Sequence, residues 1–539
     1  MAAVLAVASL REYAEGRLDK YAPPAASGVW ARRSPPPDPI ADLRGRLRIP
    51  WTEVLREEER HRGMSFYGSG GRVRRLGQRL LDGQPITVHM IGGSITAHGL
   101  YPSLLMSWIN SSFPHAGHRL MNHAMPASTS SYMAPCFECL VTQEADLVVV
   151  EMTLNDRVVH SFDSPDRRAY EQLVRKALRL PSRPAVLLLH SYAWYYAFGD
   201  GATGGLFYPI TEGHLTMLSQ YYDVPALSVR TATWRLMQAG IQGFSTSRLL
   251  VPGHIAPATG REIPLAAPKM RPHYYFEDVV HPAKRGFMVL AELLVAALAR
   301  GVEDAAFGRP LDPRPKPQLQ DTRLPHMIPH STDQRTTFCA MQRAFKPVVD
   351  RSEGFKYRPE RPESTDFVGQ KWAWSGRAPG DWAELVIDTR DLPPVAANSS
   401  SDGSSSGSNA AEPRLPAAEA VETQGGRSAQ GGRGDGGGGG GSGGRGSGVV
   451  YLVRLRSYEG MGTARVECVS GCSCDPSTVV NSWAVATSVF EAFSFQATQH
   501  QRCRVRVTIV NTDGVAADQL QKVVLVAALV AHSCSYLAD

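Results

Sequence analysis

The sequence predicts two architectures in tandem: an α/β part built on a parallel sheet covered on both faces, then an all-β sandwich or jelly roll. Between residues 84 and 300, short apolar runs rich in β-branched residues alternate with stretches of helical spacing, the pattern of right-handed crossover units. From about residue 335 the helical periodicity is replaced by short strands. Between the two, Pro accumulates from Pro310 to Pro329 and marks a linker at 301–334. A chain of 539 residues is long for one core, and its 43% hydrophobic content suffices for more than one.

Residues 1–83 read as an amino-terminal extension: a helical stretch, the Pro-rich segment Tyr21 to Pro39, and a charged helix near Trp51 to Arg62. The α/β part follows at 84–300, with strands expected at 86–91, 118–124, 146–152, 185–191 and 226–229. Helical spacing separates them at Tyr101 to Phe113, Arg167 to Leu180 and Glu212 to Tyr222. A last helix runs from about Ala283 to Ala299, with Phe287, Leu290, Leu293, Leu294 and Leu298 on its apolar face. In the sandwich, at 335–539, strands are expected at Trp382 to Thr389, Val450 to Ser457, Ala464 to Val469, Ser488 to Ala497, Cys503 to Asn511 and Lys522 to His532. Strict alternation from Cys503 to Ile509 is what a half-buried antiparallel strand requires. An insertion at 395–448, rich in Ser, Ala and Gly and ending near the six glycines Gly436 to Gly441, is too poor in apolar side chains to fold and is expected to be disordered.

Three distant segments carry chemistry. Ser94, in Gly92-Gly93-Ser94-Ile95-Thr96, follows the first strand and precedes a helix, so its hydroxyl belongs above the carboxyl ends of the strands. Asn155, in Leu154-Asn155-Asp156, follows the third strand and reaches the same edge, where its amide can donate to a developing oxyanion. Asp278 and His281 lie three residues apart before the last helix, a spacing that lets a carboxylate orient an imidazole facing Ser94. Separately, each segment also fits an ordinary turn or cap. Their order and settings together point to one hydrolytic site.

On these residues the chain resembles the SGNH (GDSL-type) hydrolases over roughly residues 84 to 300. That resemblance implies a flavodoxin-like three-layer core with Ser94 as nucleophile, His281 as general base and Asp278 as its orienter. It also implies an oxyanion hole made of the backbone N–H groups of Ser94 and Ala127 and the amide of Asn155, with neither metal nor organic cofactor. Two positions depart from the family pattern. Gly93 stands where the family name implies Asp, and Ala127, in Asn122-His123-Ala124-Met125-Pro126-Ala127, stands where Gly is usual. Alanine tolerates positive φ poorly, so that loop must keep an ordinary conformation or be strained. The β-rich region resembles those that accompany some plant and algal members. The implied function is a serine esterase acting on short acyl esters, such as O-acetyl groups on a polysaccharide. Two alternatives are a polysaccharide O-acetyltransferase using the same site and a non-catalytic carbohydrate-binding protein with a decayed core.

Composition narrows the partners. With 57 basic and 51 acidic side chains the net charge is +6, too balanced to imply a nucleic-acid partner. No apolar stretch approaches the ~18 residues of a membrane span; the best, Val523 to Ala531, is far shorter. The first ten residues lack the basic start of a signal peptide. Six of the eight cysteines follow residue 300, and Cys468, Cys472 and Cys474 cluster without a His at ligand spacing. Disulfides are favoured over zinc, and with the sequons at Asn110 and Asn398 they make a secretory or extracellular location the expectation. Tyr357, Trp372, Trp374 and Trp382 fit either the sandwich core or a sugar-stacking face. Tyr192, Trp194, Tyr195, Tyr196 and Tyr208 are candidates for a substrate wall.

Overall fold

The computed structural model describes residues 39–156, 161–193, 210–239, 241, 243–244, 250–255, 262–264, 275–277, 280–308, 324–365, 367–392, 446–483, 488–512 and 519–533. Residues 1–46 form a separate unit whose described part is a helix, α1 (Pro39–Arg46). Everything from Leu47 onward belongs to one unit containing both the α/β part and the sandwich.

Five parallel strands make the first sheet: β1 (Thr87–Gly92), β2 (Arg119–Asn122), β3 (Leu147–Glu151), β4 (Ala185–His190) and β5 (Ala226–Ser228). Their order is β2-β1-β3-β4-β5, the flavodoxin-like order. Helices cover both faces, so β3 and β4 are buried at every residue, which is why they read as apolar runs up to their last residues, Glu151 and His190. Chain order along this part is α2 (Glu57–Gly63), α3 (Gly71–Leu81), α4 (Ser94–Ala97), α5 (Tyr101–Ser112), α6 (Ser130–Leu140), α7 (Pro165–Leu178), α8 (Ile210–Tyr221), α9 (Val229–Gln238) and α10 (Lys284–Phe307).

Helix α10 continues past the expected end at Ala299 to Phe307. Gly301 does not break it, because this glycine is where α3 crosses. A Cβ on Gly77 would lie 2.6 Å from the Gly301 carbonyl oxygen, and one on Gly301 would lie 2.9 Å from the Val73 carbonyl oxygen. The glycines thus let two backbones touch. Upstream, the buried Glu292 carboxylate accepts from the Val54 and Leu55 N–H groups at 2.7 and 2.8 Å, pinning the segment before α2 to α10. A short antiparallel pair, β6 (Leu250–Ile255) with β7 (Glu262–Pro264), was not anticipated.

The second part is a sandwich of antiparallel strands. One sheet contains β8 (Gln334–Met341), β10 (Lys356–Pro359), β11 (Trp372–Gly376), β13 (Ser447–Arg456), β16 (Val489–Thr498) and β18 (Val523–Ser533). Its order is β10-β11-β18-β13-β16, with β8 alongside the later half of β18. The other runs β15-β14-β17-β12-β9, from β9 (Val349–Glu353), β12 (Trp382–Ile387), β14 (Thr463–Ser470), β15 (Ser477–Val480) and β17 (Cys503–Val510). Strand β17 alternates buried and half-buried residues as expected. Cys468 pairs with Cys474 and Cys472 with Cys503, the disulfide alternative for that cluster; Cys534 lies outside the described residues. The insertion expected at 395–448 falls outside them up to residue 445, and Ser447 and Gly448 open β13. Tyr357 and Trp372 stack on each other at 5.2 Å and are half-buried.

The apolar run of β18 does not alternate, and the packing explains why. Val523, Leu525, Ala528 and Val530 face the sandwich interior, whereas Val524, Val526, Ala527 and Leu529 join a core that includes Tyr132, Met133 and Phe137 of α6. This strand is buried on both faces, unusual for an antiparallel sheet. The same seam brings Cys136 Sγ of α6 to 2.8 Å from Cys339 Sγ of β8. Sandwich and α/β part therefore share a core along this seam, beside the sandwich's own interior.

Candidate active site

In an open α/β sheet, ligands bind beyond the carboxyl ends of the strands where the strand order reverses, here between β1 and β3. Ser94 follows β1 by one residue and starts α4, with the Ala97 N–H donating to the Gly93 carbonyl at 2.9 Å. Asn155 follows β3 in a turn closed by its own N–H to the Met152 carbonyl at 3.1 Å. His281 stands in a loop drawn tight before α10 by the Phe276–Pro282 bridge and by the Ala283 N–H to the Tyr275 carbonyl at 2.7 Å. A Cβ on Gly286 would meet that Tyr275 carbonyl at 2.6 Å, so glycine permits the loop to lie on the helix.

The Ser94 hydroxyl and His281 Nε2 are 2.7 Å apart, across 187 residues of sequence. At that distance the two groups share a hydrogen bond, and in the tautomer that leaves Nε2 unprotonated the serine O–H donates to it, the arrangement a general base needs before attack. Asp278 lies outside the described residues.

The Asn155 amide packs on the Ser94 turn. A Cβ at Gly93 would sit 2.4 Å from Asn155 Nδ2, so a side-chain-free residue is what this approach demands. One N–H of the amide donates to the Ser128 carbonyl at 2.7 Å, which fixes its orientation and leaves the second N–H for a ligand. Asp156, next in sequence, accepts from the Ser130 N–H at 2.8 Å and the Ser130 hydroxyl at 2.6 Å, capping α6. Burial pushes the Asp156 carboxyl up to about 6, against the opposing pull of Arg167 and the Ser130 hydrogen bonds. The Asn155-Asp156 pair thus ties β3 to the loop that precedes α6.

Ala127 has φ of +68°, the strained option for that loop rather than the ordinary one. The loop is braced on one side by the Met125 N–H and the Ser128 hydroxyl, which donate to the Gly92 carbonyl at 3.0 and 3.1 Å. On the other side it meets the sandwich: the Phe490 N–H of β16 donates to the Ala127 carbonyl at 2.6 Å.

Sequence reasoning missed Glu151. This carboxylate, the last residue of β3, is buried beneath the Ser94 turn and accepts from Thr96 Oγ1 at 3.1 Å, from the Ser191 hydroxyl and from the Gly93 N–H. Burial raises it above the usual carboxylate range, while those hydrogen bonds and the charge of His281 act the other way. Its signal was an acidic residue closing an otherwise apolar buried strand. Thr96 in turn shares a 2.7 Å hydrogen bond with the Tyr101 hydroxyl, so the network links β3, β4, α4 and α5. Tyr192 is buried, and Trp194, Tyr195, Tyr196 and Tyr208 lie outside the described residues.

Sheet order and switch point define a flavodoxin-like α/β fold of the kind SGNH hydrolases have, here with the Ser–His pair at its switch point and joined to a second, β-rich region. Neither a family model nor a curated relative matches the sequence. Among solved structures, a two-domain esterase (CEX) active on acetylated mannans, co-crystallised with mannopentaose, aligns over 89% of this chain and 99% of its own at 15% identity, with a TM-score of 0.51. A second crystal structure of a two-domain esterase (CEX) active on acetylated mannans gives a TM-score of 0.51 at 15% identity over 88% of this chain and 99% of its own. A likeness across both parts at such low identity is one of architecture.

Proposed function

We propose that the chain is a serine esterase that removes short acyl groups, O-acetyl on a polysaccharide foremost, by two-step acyl transfer. The observation that carries the reading is the 2.7 Å contact between Ser94 Oγ and His281 Nε2 at the sheet's switch point. Ser94 Oγ attacks the ester carbonyl as its proton passes to His281 Nε2. The oxyanion is held by the N–H groups of Ser94 and Ala127 and the free N–H of Asn155. Collapse expels the sugar oxygen, which takes the proton from His281, and leaves Ser94 acylated. Water then attacks the acyl carbon with His281 again as base, releasing the acid and free serine. Asp278 is assigned to orient His281 and to offset the imidazolium charge. The choice of acetylated polysaccharide rests on the architecture shared with the acetylmannan esterase. Paired cysteines favour an oxidising, extracytoplasmic setting.

The test is labelling by a fluorophosphonate together with acetate release from acetylated mannan and xylan. Wild type is expected to react, with Ser94→Ala unlabelled and His281→Ala slowed by at least ~10³-fold. A wild-type protein as inert as both variants would overturn the reading in favour of a binding protein. Acetyl groups appearing on an acceptor glycan instead of as free acetate would make the protein a transferase.

A further inference from the structure

We propose that the edge of the sandwich is a working part of the oxyanion site: the backbone of Phe490 holds Ala127 in the left-handed conformation that presents its N–H. The proposal rests on the esterase reading above and adds to it a positioning element from the other domain.

Among the described strands, β16 is at the edge of its sheet and pairs with β13 on one side. In an antiparallel strand the N–H and C=O of one residue point to the same side. Both of these groups of Phe490 point at the α/β part. Its N–H donates to the Ala127 carbonyl at 2.6 Å, and its carbonyl accepts from Thr129 Oγ1 at 2.9 Å. One pleat on, the Ala492 N–H donates to Ser131 Oγ at 3.4 Å, and Ser128 bridges Phe490 in parallel sense. The catalytic loop is thus read by the sandwich as one more strand, which also covers an edge that would otherwise be open to other chains.

Energetics give the contact its purpose. A non-glycine residue at φ of +68° persists only where its surroundings over-determine it. At Ala127 the surroundings are the Gly92 carbonyl, the Asn155 amide on the Ser128 carbonyl, and β16. Of these only β16 bonds to Ala127 itself. The Ala127 carbonyl shares a rigid amide plane with the Ser128 N–H. That plane is held at both ends, by the Phe490 N–H at the carbonyl and by the Met125 carbonyl, which accepts from the Ser128 N–H at 3.1 Å. Only φ and ψ of Ala127 separate this fixed plane from the one that carries its own N–H, so holding it restricts where that N–H points. The α/β part alone lacks this constraint.

The cleanest probe replaces Phe490 with phenyllactate, an ester that deletes one N–H and keeps the buried ring. Since that N–H points away from β13, no sheet bond is lost. Steady-state kinetics on an acetyl ester and the rate of fluorophosphonate labelling are read for this protein, for Thr129→Val, and for each combined with Ala127→Gly. The expected result is a kcat lower by about 10–100-fold with KM within about twofold, since a misaimed oxyanion donor acts on the transition state alone. Ala127→Gly, which needs no support at positive φ, is expected to bring kcat back to within about threefold of Ala127→Gly by itself. Unchanged kcat in both altered proteins, a change confined to KM, or no rescue by glycine would overturn the proposal while leaving the esterase reading intact. A wild-type enzyme that never labels would instead remove the esterase reading, and this inference with it.

Discussion

At the residue scale, Gly93 and Glu151 determine how the Ser94 turn is built. Glycine at 93 looked like the loss of a family carboxylate, yet its missing side chain is the space into which the Asn155 amide fits. Gly93→Ala should push Asn155 off its Ser128 contact and lower kcat by about tenfold with little change in KM, as steady-state kinetics would show. A larger effect on KM than on kcat would mean that Asn155 serves substrate binding instead. Glu151 receives three donors at one carboxylate. Glu151→Gln replaces an acceptor oxygen by an NH2 facing a donor, so about 1–3 kcal/mol of stability should be lost in denaturant titrations. Neither role was legible in the sequence, because each depends on which side chain another segment brings within 3 Å. The positions of Ser94, Asn155 and His281 were legible, since their places after strands or before a helix are local properties.

At the element scale, burial on both faces left its mark in composition. Strands β3 and β4, apolar up to their last residues Glu151 and His190, were placed within a residue or two from sequence, as were β14, β16 and β17. Strand β18 was placed too, though the reason for its unbroken apolar run, a second layer of packing against α6, emerges only from the assembled fold. Helix α10 was expected to end at about Ala299, whereas it runs on through Gly301, whose small size serves the crossing with α3. Gly77→Ala tests that crossing. Its new methyl would meet backbone at 2.6 Å, which cannot rotate away, so a loss of about 1–3 kcal/mol is expected in urea titration, with kcat of the folded enzyme unchanged. A neutral substitution would show that α3 can slide on α10.

At the scale of the whole molecule, acid stability is set by buried groups whose effects oppose each other. His190 is fully buried beside Thr153, with Glu212 and Arg230 acting on it from α8 and α9, and burial pushes it down to about 4. Its neutral form is what the fold accepts. The stability it contributes is complete above the ordinary histidine value of 6.5 and is lost as pH falls through about 4, by at most ~3 kcal/mol. His89 and His123, stacked and hydrogen-bonded at 2.9 Å, are pushed down to about 4 as well and add to the same loss. Asp156 acts in the opposite sense. Its carboxyl is raised from 3.8 to about 6, so its contribution is complete below 3.8 and disappears as pH rises through about 6. Acidification from pH 6.5 to 4.5 therefore removes histidine stabilisation while restoring part of the aspartic acid's. Substitution separates the two. In urea titrations across that range His190→Gln should flatten the decline in unfolding free energy, and Asp156→Asn should steepen it. Slopes parallel to wild type in both variants would mean that neither group is held in the protonation state its burial demands.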